Sequence, residues 1–155
     1  MDIIYVEGGG ELLGRVGSLW EKLNGHHVMQ STFFKDDISN RSFNQRNEQW
    51  VKKAKQGFLR IDIAIEKSSN KAIGYCVTII HDDYGEIDSI YVDQSFRKMG
   101  VGSSLIELAL KWLDKKADIK KTVNVAVGNE QVFRFYQKYG FYPRAIILEQ
   151  RTQPG

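Results

Sequence analysis

Cysteine is almost missing from this chain. Cys76 stands alone among 155 residues, so no intramolecular disulfide can brace the fold. Its sequence neighbours are apolar and no obvious base accompanies it, so it reads as a buried strand residue and not as a nucleophile. Proline is scarce as well, with only Pro143 and Pro154, which excludes a Pro-rich disordered segment. No apolar run approaches the roughly 20 residues that cross a bilayer. The opening stretch, MDIIYVEGGGE, has no basic segment followed by a long apolar one. A cytoplasmic location without a membrane partner is the resulting expectation. Neither sign of charge dominates: 22 basic side chains face 19 acidic ones, a net +3. That balance gives no bulk attraction to nucleic acid, and the aromatics interleave with core positions instead of lining a basic stripe. Lys111, Lys115, Lys116, Lys120 and Lys121 cluster, as a solvated helix end followed by a turn would.

What is present is the material of one soluble domain, taken as 1–155, long enough to bury a core. Residues 2–6 read as a first strand. Leu12, Val16, Leu19, Trp20 and Leu23 recur at helical spacing, and Asn24-Gly25 predicts the stop. Residues 26–40 read as irregular. Phe43, Asn47, Trp50, Val51 and Ala54 predict a second helix closed at Gly57. The period then becomes two over Leu59, Ile61, Ile63 and Ile65. The almost continuous apolar run at 72–80 predicts an interior strand. Residues 86–92 make the next strand, and a buried helix follows from Val101. Val123, Val125 and Val127 predict a further strand. Asn129 is placed to cap a short helix with Val132, Phe133, Tyr136 and Tyr139 inward. A final strand is expected to begin at FYPRAIILEQ, 141–150. The order predicts a mixed α/β (α+β) sandwich: a three-strand antiparallel meander, then a strand–helix–strand unit over 86–127 with parallel strands and a right-handed crossover.

The chemistry concentrates between strand and helix at Arg97-Lys98-Met99-Gly100-Val101-Gly102. The first amides of a helix have no internal partners, and the macrodipole makes that end positive. Glycines at 100 and 102 let a phosphate approach the backbone. Arg97 and Lys98 add charge. A tight turn would use glycines too, so the hexapeptide alone leaves both readings open. A GxxxxGK[ST] phosphate loop is absent, and GVGSSL at 100–105 lacks the third glycine of the dinucleotide fingerprint.

The longer stretch IYVDQSFRKMGVGSSLIELAL resembles the coenzyme-A-binding motif of the GNAT superfamily of N-acetyltransferases. In that family an apolar-x-Val strand end precedes [Arg/Gln]-x-x-Gly-x-[Gly/Ala]. Here these are Ile90-Tyr91-Val92 and Arg97-x-x-Gly100-x-Gly102. A second element, Asn129 followed by FYQKYGF at 135–141, is similar to the family's Asn…Phe-Tyr-x-x-x-Gly-Phe. The resemblance implies a mostly antiparallel sheet flanked by helices, with a central parallel pair splayed for coenzyme A. It implies acetyl-CoA as acyl donor and no metal. The amides of Lys98, Met99, Gly100, Val101, Gly102 and Ser103 would hold the pyrophosphate. Ile90, Tyr91 and Val92 would pair with the pantetheine arm as an added strand does. Asn129, Phe133 and Tyr136 would also contact the coenzyme. A bulge would part this strand from the next after Val127, leaving a gap for the thioester.

The implied reaction is direct attack by an amine, which needs a proton acceptor and protonation of the leaving thiolate. Tyr136 matches the family's tyrosine near the sulfur. Glu86 and Asp88 project to one strand face by period two, and either suits the base. His81 could serve as a base, but alone at a turn it reads as surface. Asp82, Asp83, Glu86 and Asp88 make the acceptor side acidic, pointing to a cationic amine. The acceptor pocket is expected from residues 24–45 and the 81–85 turn. The resemblance does not choose between a small-molecule and a peptide amine, nor between monomer and homodimer. A non-catalytic acyl-CoA-sensing module is the alternative; it would bind coenzyme without acetyl transfer.

Overall fold

The computed structural model describes residues 2–116 and 119–152. Five strands form one sheet in the order β1-β2-β3-β4-β5: β1 Ile3–Gly8, β2 Leu59–Glu66, β3 Lys71–Ile80, β4 Tyr84–Val92 and β5 Lys120–Val123. The first four are antiparallel neighbours, and β4 pairs with β5 in parallel. The helices are α1 Gly17–Gln30, α2 Lys35–Ser39, α3 Phe43–Lys55, α4 Val101–Asp114 and α5 Phe133–Gln137. The mixed α/β architecture read from the sequence is the one observed.

Two apolar layers sandwich the sheet. Ile61, Ile63, Tyr75, Val77 and Ile79 on one face pack with Leu19 and Trp20 of α1 and Trp50 of α3. Ala64, Ile73, Cys76 and Ile87 on the other pack with Val101, Leu105, Ile106 and Ala109 of α4 and Tyr136 of α5. The strict alternation along β2 and β3 produces this division, because successive side chains leave opposite faces. Strand β3, with neighbours on both edges and helices on both faces, is buried from Ile73 to Ile80, as its unbroken apolar run requires.

Four local expectations are corrected. Asn24-Gly25 does not stop α1, which runs on to Gln30; the Asn24 side chain donates to the Ile38 carbonyl of α2 instead. That tertiary bond outweighs the local stop signal, and it places α2 where an irregular stretch was expected. Strand β5 ends at Val123, and Val127 is largely exposed. Asn129 precedes the 3₁₀ turn Glu130–Val132 without capping it: its side chain accepts from Gln131 instead. Last, residues 141–150 form no strand. Ile146, Ile147 and Leu148 are 76%, 86% and 92% exposed, and β5 has no second neighbour among the described residues. β-propensity there finds no edge to pair with, and propensity without a partner does not make a strand.

Candidate active site

The site grows from two irregularities in β4. Opposite β3, Val77 pairs with Ser89 and Thr78 with Ile87, so Asp88 is an extra residue, a β-bulge that bends the strand. On its other edge, β4 pairs with β5 only as far as Ile87↔Val123. The two strands therefore part at Val123, earlier than the Val127 expected from the sequence. From Asp88 to Val92 the β5-side edge of β4 is free of strand partners among the described residues. Ile90, Tyr91 and Val92 lie along this opened edge.

Beyond Val92 the chain is pinned before it becomes a helix. Asp93 donates its amide to the Ile73 carbonyl at 2.7 Å and accepts from Lys22 at 2.8 Å and from the Ser95 amide at 3.3 Å. The hydrogen-bonded Lys22 ammonium holds the Asp93 carboxyl below the usual carboxylate range. Arg97 Nε donates back to the Val92 carbonyl at 3.1 Å, and its guanidinium lies over the Tyr91 ring. Lys98 takes φ +67 and Gly100 φ +79. Left-handed backbone at Gly100, immediately before α4, is where a Cβ would cost about 1–2 kcal/mol.

The first internal bond of α4 runs from Ser104 N–H to the Gly100 carbonyl. Among the described residues, none of the six amides from Lys98 to Ser103 meets a protein acceptor, and no side chain caps the helix. Six consecutive unpaired donors at the positive end of a 14-residue helix form an anion cradle. The Gly102 position is open as well: a Cβ there would lie 3.6 Å from Phe135, in ordinary contact.

Of the other coenzyme candidates, Tyr136 is buried within the α4-side cluster, with Phe135 and Phe141 edge-on to its ring. Burial holds its hydroxyl above the ordinary phenol value of 10.0, and that hydroxyl has no protein partner among the described residues. Phe135, not Phe133, packs in this cluster; Phe133 is half-buried outside it. Asn129 is half-buried, and among the described residues its side chain bonds only Gln131.

The two carboxylates sit on the α1/α3 face, opposite to Tyr136. Glu86 is opposed to Ile79, a member of that face's core. Asp88 reaches α3, where Oδ2 accepts from Arg46 Nη2 at 2.5 Å and Trp50 Nε1 at 2.8 Å. Asp88 thus ties the bulge to α3, and its charge is matched. Glu86 stands at the fork between β4 and β5. Its Oε1 is 2.8 Å from His81 Nε2, and its Oε2 accepts from Asn124 Nδ2 at 2.9 Å. Arg46, Trp50 and Asn124 escaped the sequence reading because each becomes relevant only through tertiary approach.

Cys76 is buried beside Thr78, and burial pushes its thiol up to about 12, which makes it inert as a nucleophile. Three polar atoms under α1 and α3, His27 Nδ1, Gln30 Oε1 and Asn47 Oδ1, are buried without a hydrogen-bond partner among the described residues. No group of three or more His, Cys, Asp or Glu side chains suited to a metal ion occurs among the described residues. No helix among them is long and apolar enough to cross a membrane.

Known proteins resemble this chain in sequence and in fold. An N-acetyltransferase of Methanocaldococcus jannaschii, itself uncharacterized, is 31% identical over 65 residues, covering 42% of this chain and 29% of that protein. A Bacillus subtilis protein assigned as a [ribosomal protein bS18]-alanine N-acetyltransferase is 29% identical over 94 residues, covering 60% of this chain and 61% of that one. The matches thus span less than two thirds of either relative's length. The solved structure of the aminoglycoside N-acetyltransferase AAC(6')-Iy in complex with coenzyme A superposes with a TM-score of 0.72 over 99% of this chain and 96% of that one, at 18% identity. That likeness concerns the fold. The family model described as the acetyltransferase (GNAT) family matches residues 20–141, most of the chain and both motifs, and the protein belongs to that family.

Proposed function

We propose that this protein transfers an acetyl group from acetyl-CoA to a primary amine. The observation that carries the reading is the cradle of unpaired amides from Lys98 to Ser103, set directly after a strand edge that the β4–β5 fork leaves open. A diphosphate has the charge and the oxygens to satisfy the first feature. A pantetheine arm, with its two amide groups, has the shape and hydrogen-bonding pattern to satisfy the second. Ile90, Tyr91 and Val92 would run beside the arm. Arg97 and Lys98 add positive charge, and Asn129 and Phe133 flank the coenzyme from the segment beyond β5.

With the thioester in the fork, the amine lone pair attacks the carbonyl carbon. A C–N bond forms, the C–S bond breaks and coenzyme A leaves as thiol. Tyr136 donates the proton to the departing sulfur. Its burial favours the neutral phenol, the state a donor needs. Proton removal from the amine is assigned to the Glu86 cluster on the opposite face. Asp88 is less suited, since its bonds to Arg46 and Trp50 already hold it to α3. That ion pair also removes one of the four negative charges counted on the acceptor side. Asp82, Asp83 and Glu86 remain to favour a cationic amine.

The acceptor pocket is assigned to residues 24–45 and the 81–85 turn. The buried, unpartnered polar atoms of His27 and Gln30 support this, because such atoms cost about 1–3 kcal/mol each unless something bonds them. The names of the aminoglycoside N-acetyltransferase of like fold and of the Bacillus subtilis relative point to an aminoglycoside and a ribosomal-protein alanine, both amines, and the acceptor here is proposed as a small-molecule or peptide primary amine.

Thermal unfolding with and without acetyl-CoA tests binding: ligand at a hundred times its dissociation constant should add about 2.7 kcal/mol. Thiol release with a panel of amines then tests turnover. Binding without release to any amine would convert the reading to a sensing module. Tyr136→Phe should cut kcat by about 10²-fold or more with coenzyme affinity kept. Equal loss of both would make Tyr136 a packing residue.

A further inference from the structure

His81 is held far more firmly than a turn residue needs. Its amide donates to the Tyr84 carbonyl at 2.8 Å. Its ring stacks on the Tyr84 ring, with centroids 4.5 Å apart and 24° between planes. Its Nε2 lies 2.8 Å from Glu86 Oε1. The side chain is nevertheless 26% exposed. Glu86 in turn is fixed from the other side by Asn124, the first residue past the point where β5 leaves β4. Three side chains from the β3–β4 turn, β4 and the end of β5 thus converge on the mouth of the fork.

The bonding decides which atom is available. An ionised carboxylate only accepts, so the bond at Glu86 Oε1 puts the proton of neutral His81 on Nε2. Nδ1 then carries a bare lone pair, and no protein donor reaches it among the described residues. Glu86, by contrast, already accepts one hydrogen bond at each oxygen. This is the arrangement in which a carboxylate orients an imidazole and stabilises the imidazolium that forms.

Resting on the acetyl-transfer reading above, we propose that His81 Nδ1 is the atom that takes the amine's proton, directly or through one water, and that Glu86 is a positioning residue acting through the imidazole. The step balances simply. R–NH₃⁺ loses one proton to Nδ1 and becomes R–NH₂, the nucleophile; His81 becomes imidazolium, paired with Glu86 through Nε2–H, and returns that proton to solvent, while the second N–H proton, released as the amide forms, replaces through solvent the one that Tyr136 gives to the departing sulfur. Asn124 keeps the second carboxylate oxygen from rotating away. The other charges around the ring are few. Asp82 and Asp83 share its turn and are exposed, Lys120 lies opposite Tyr84 in the ladder, and Lys121 is paired with Asp114. The Arg46 charge is spent on Asp88.

Two measurements test this, and only one needs turnover. First, ¹⁵N–¹H correlation of the His81 ring above neutral pH, without substrate, should show the Nε2–H tautomer in the wild type and loss of that preference in Glu86→Gln. A wild-type Nδ1–H tautomer overturns the proposal, whatever the enzyme turns over. Second, pH profiles of kcat/KM should be recorded with acetyl-CoA and two probe amines, spermidine and an alanine-terminated hexapeptide. His81→Ala should lose about 10²–10⁴-fold together with the acidic limb assigned to the base, and added imidazole should restore part of the rate. Glu86→Gln should keep the acidic limb and lose kcat by a smaller factor than His81→Ala, with KM for the amine little changed. Acetyl-CoA affinity should stay within about twofold in both. A His81→Ala enzyme with wild-type rate and profile, or a Glu86→Gln enzyme that alone loses the limb, overturns the assignment. If the wild type binds acetyl-CoA yet acetylates neither these probes nor the wider amine panel, the transfer reading has failed, and the tautomer result still judges the dyad by itself.

Discussion

Residues in this protein take their roles from what they touch. Glu86 and Asp88 look interchangeable along β4, yet the bulge hands Asp88 to Arg46 and Trp50 while the fork hands Glu86 to His81 and Asn124. Nothing in the sequence separates them, because a bulge is a two-strand event and the partners lie on other elements. His27 illustrates the same dependence in a testable way. Burial under α1 is the main cause that lowers its pKa from 6.5, with His26 and Arg41 adding like charge. The unfolded chain therefore protonates His27 first as pH falls. Its contribution to stability is present above about pH 6.5 and lost as pH drops through the lower folded value. Chemical denaturation at pH 7.5 and 5.0 should show the wild type losing stability over this range, and His27→Gln losing measurably less. Identical slopes would mean that His27 is solvated.

At the scale of elements, the sequence was readable wherever local pattern and tertiary need agreed. Period two over Leu59–Ile65 and the apolar run through 72–80 became β2 and β3 nearly residue for residue. Val101, Leu105, Ile106, Ala109 and Leu113 became the buried stripe of α4. The Arg97–Gly102 loop was placed correctly between strand and helix because left-handed backbone and unpaired amides both call for glycine. It was unreadable where a distant partner decides. Asn24-Gly25 carries a stop signal that a bond to Ile38 overrides, and β5 ends early because β4 turns away from it. Gly128 is a further case. Its φ is +103, and a Cβ would stand 2.4 Å from the Gln30 carbonyl oxygen, so the loop after β5 seats directly against the end of α1. Gly128→Ala should cost about 2–4 kcal/mol from left-handed strain and backbone overlap together. A urea midpoint corresponding to less than 1 kcal/mol would show that α1's end and this loop are not in contact.

Taken whole, the molecule is a sheet whose two covered faces divide the labour. In the proposed reading the α4 face supplies the anion cradle and Tyr136, and the α1/α3 face supplies Glu86, His81 and the polar atoms assigned to the acceptor side. The fork between β4 and β5 leaves the end of β4 without a strand partner on that edge among the described residues, and the proposed acyl transfer between two substrates would use that gap. The segment past α5 stands apart from this design. Ile146, Ile147 and Leu148 make no contact that buries them, so Ile147→Lys should change unfolding free energy by no more than about 0.5 kcal/mol. A larger loss would place the segment on the body of the protein.

Acetyl-CoA binding in the proposed function depends most on the amides at the start of α4. Titrating ¹⁵N-labelled protein with coenzyme A reads them one by one. The largest saturable shifts are expected at Lys98, Met99, Gly100, Val101, Gly102 and Ser103, with smaller ones along Ile90–Val92. Saturable binding that leaves these six amides unmoved, or no binding at all, would contradict it.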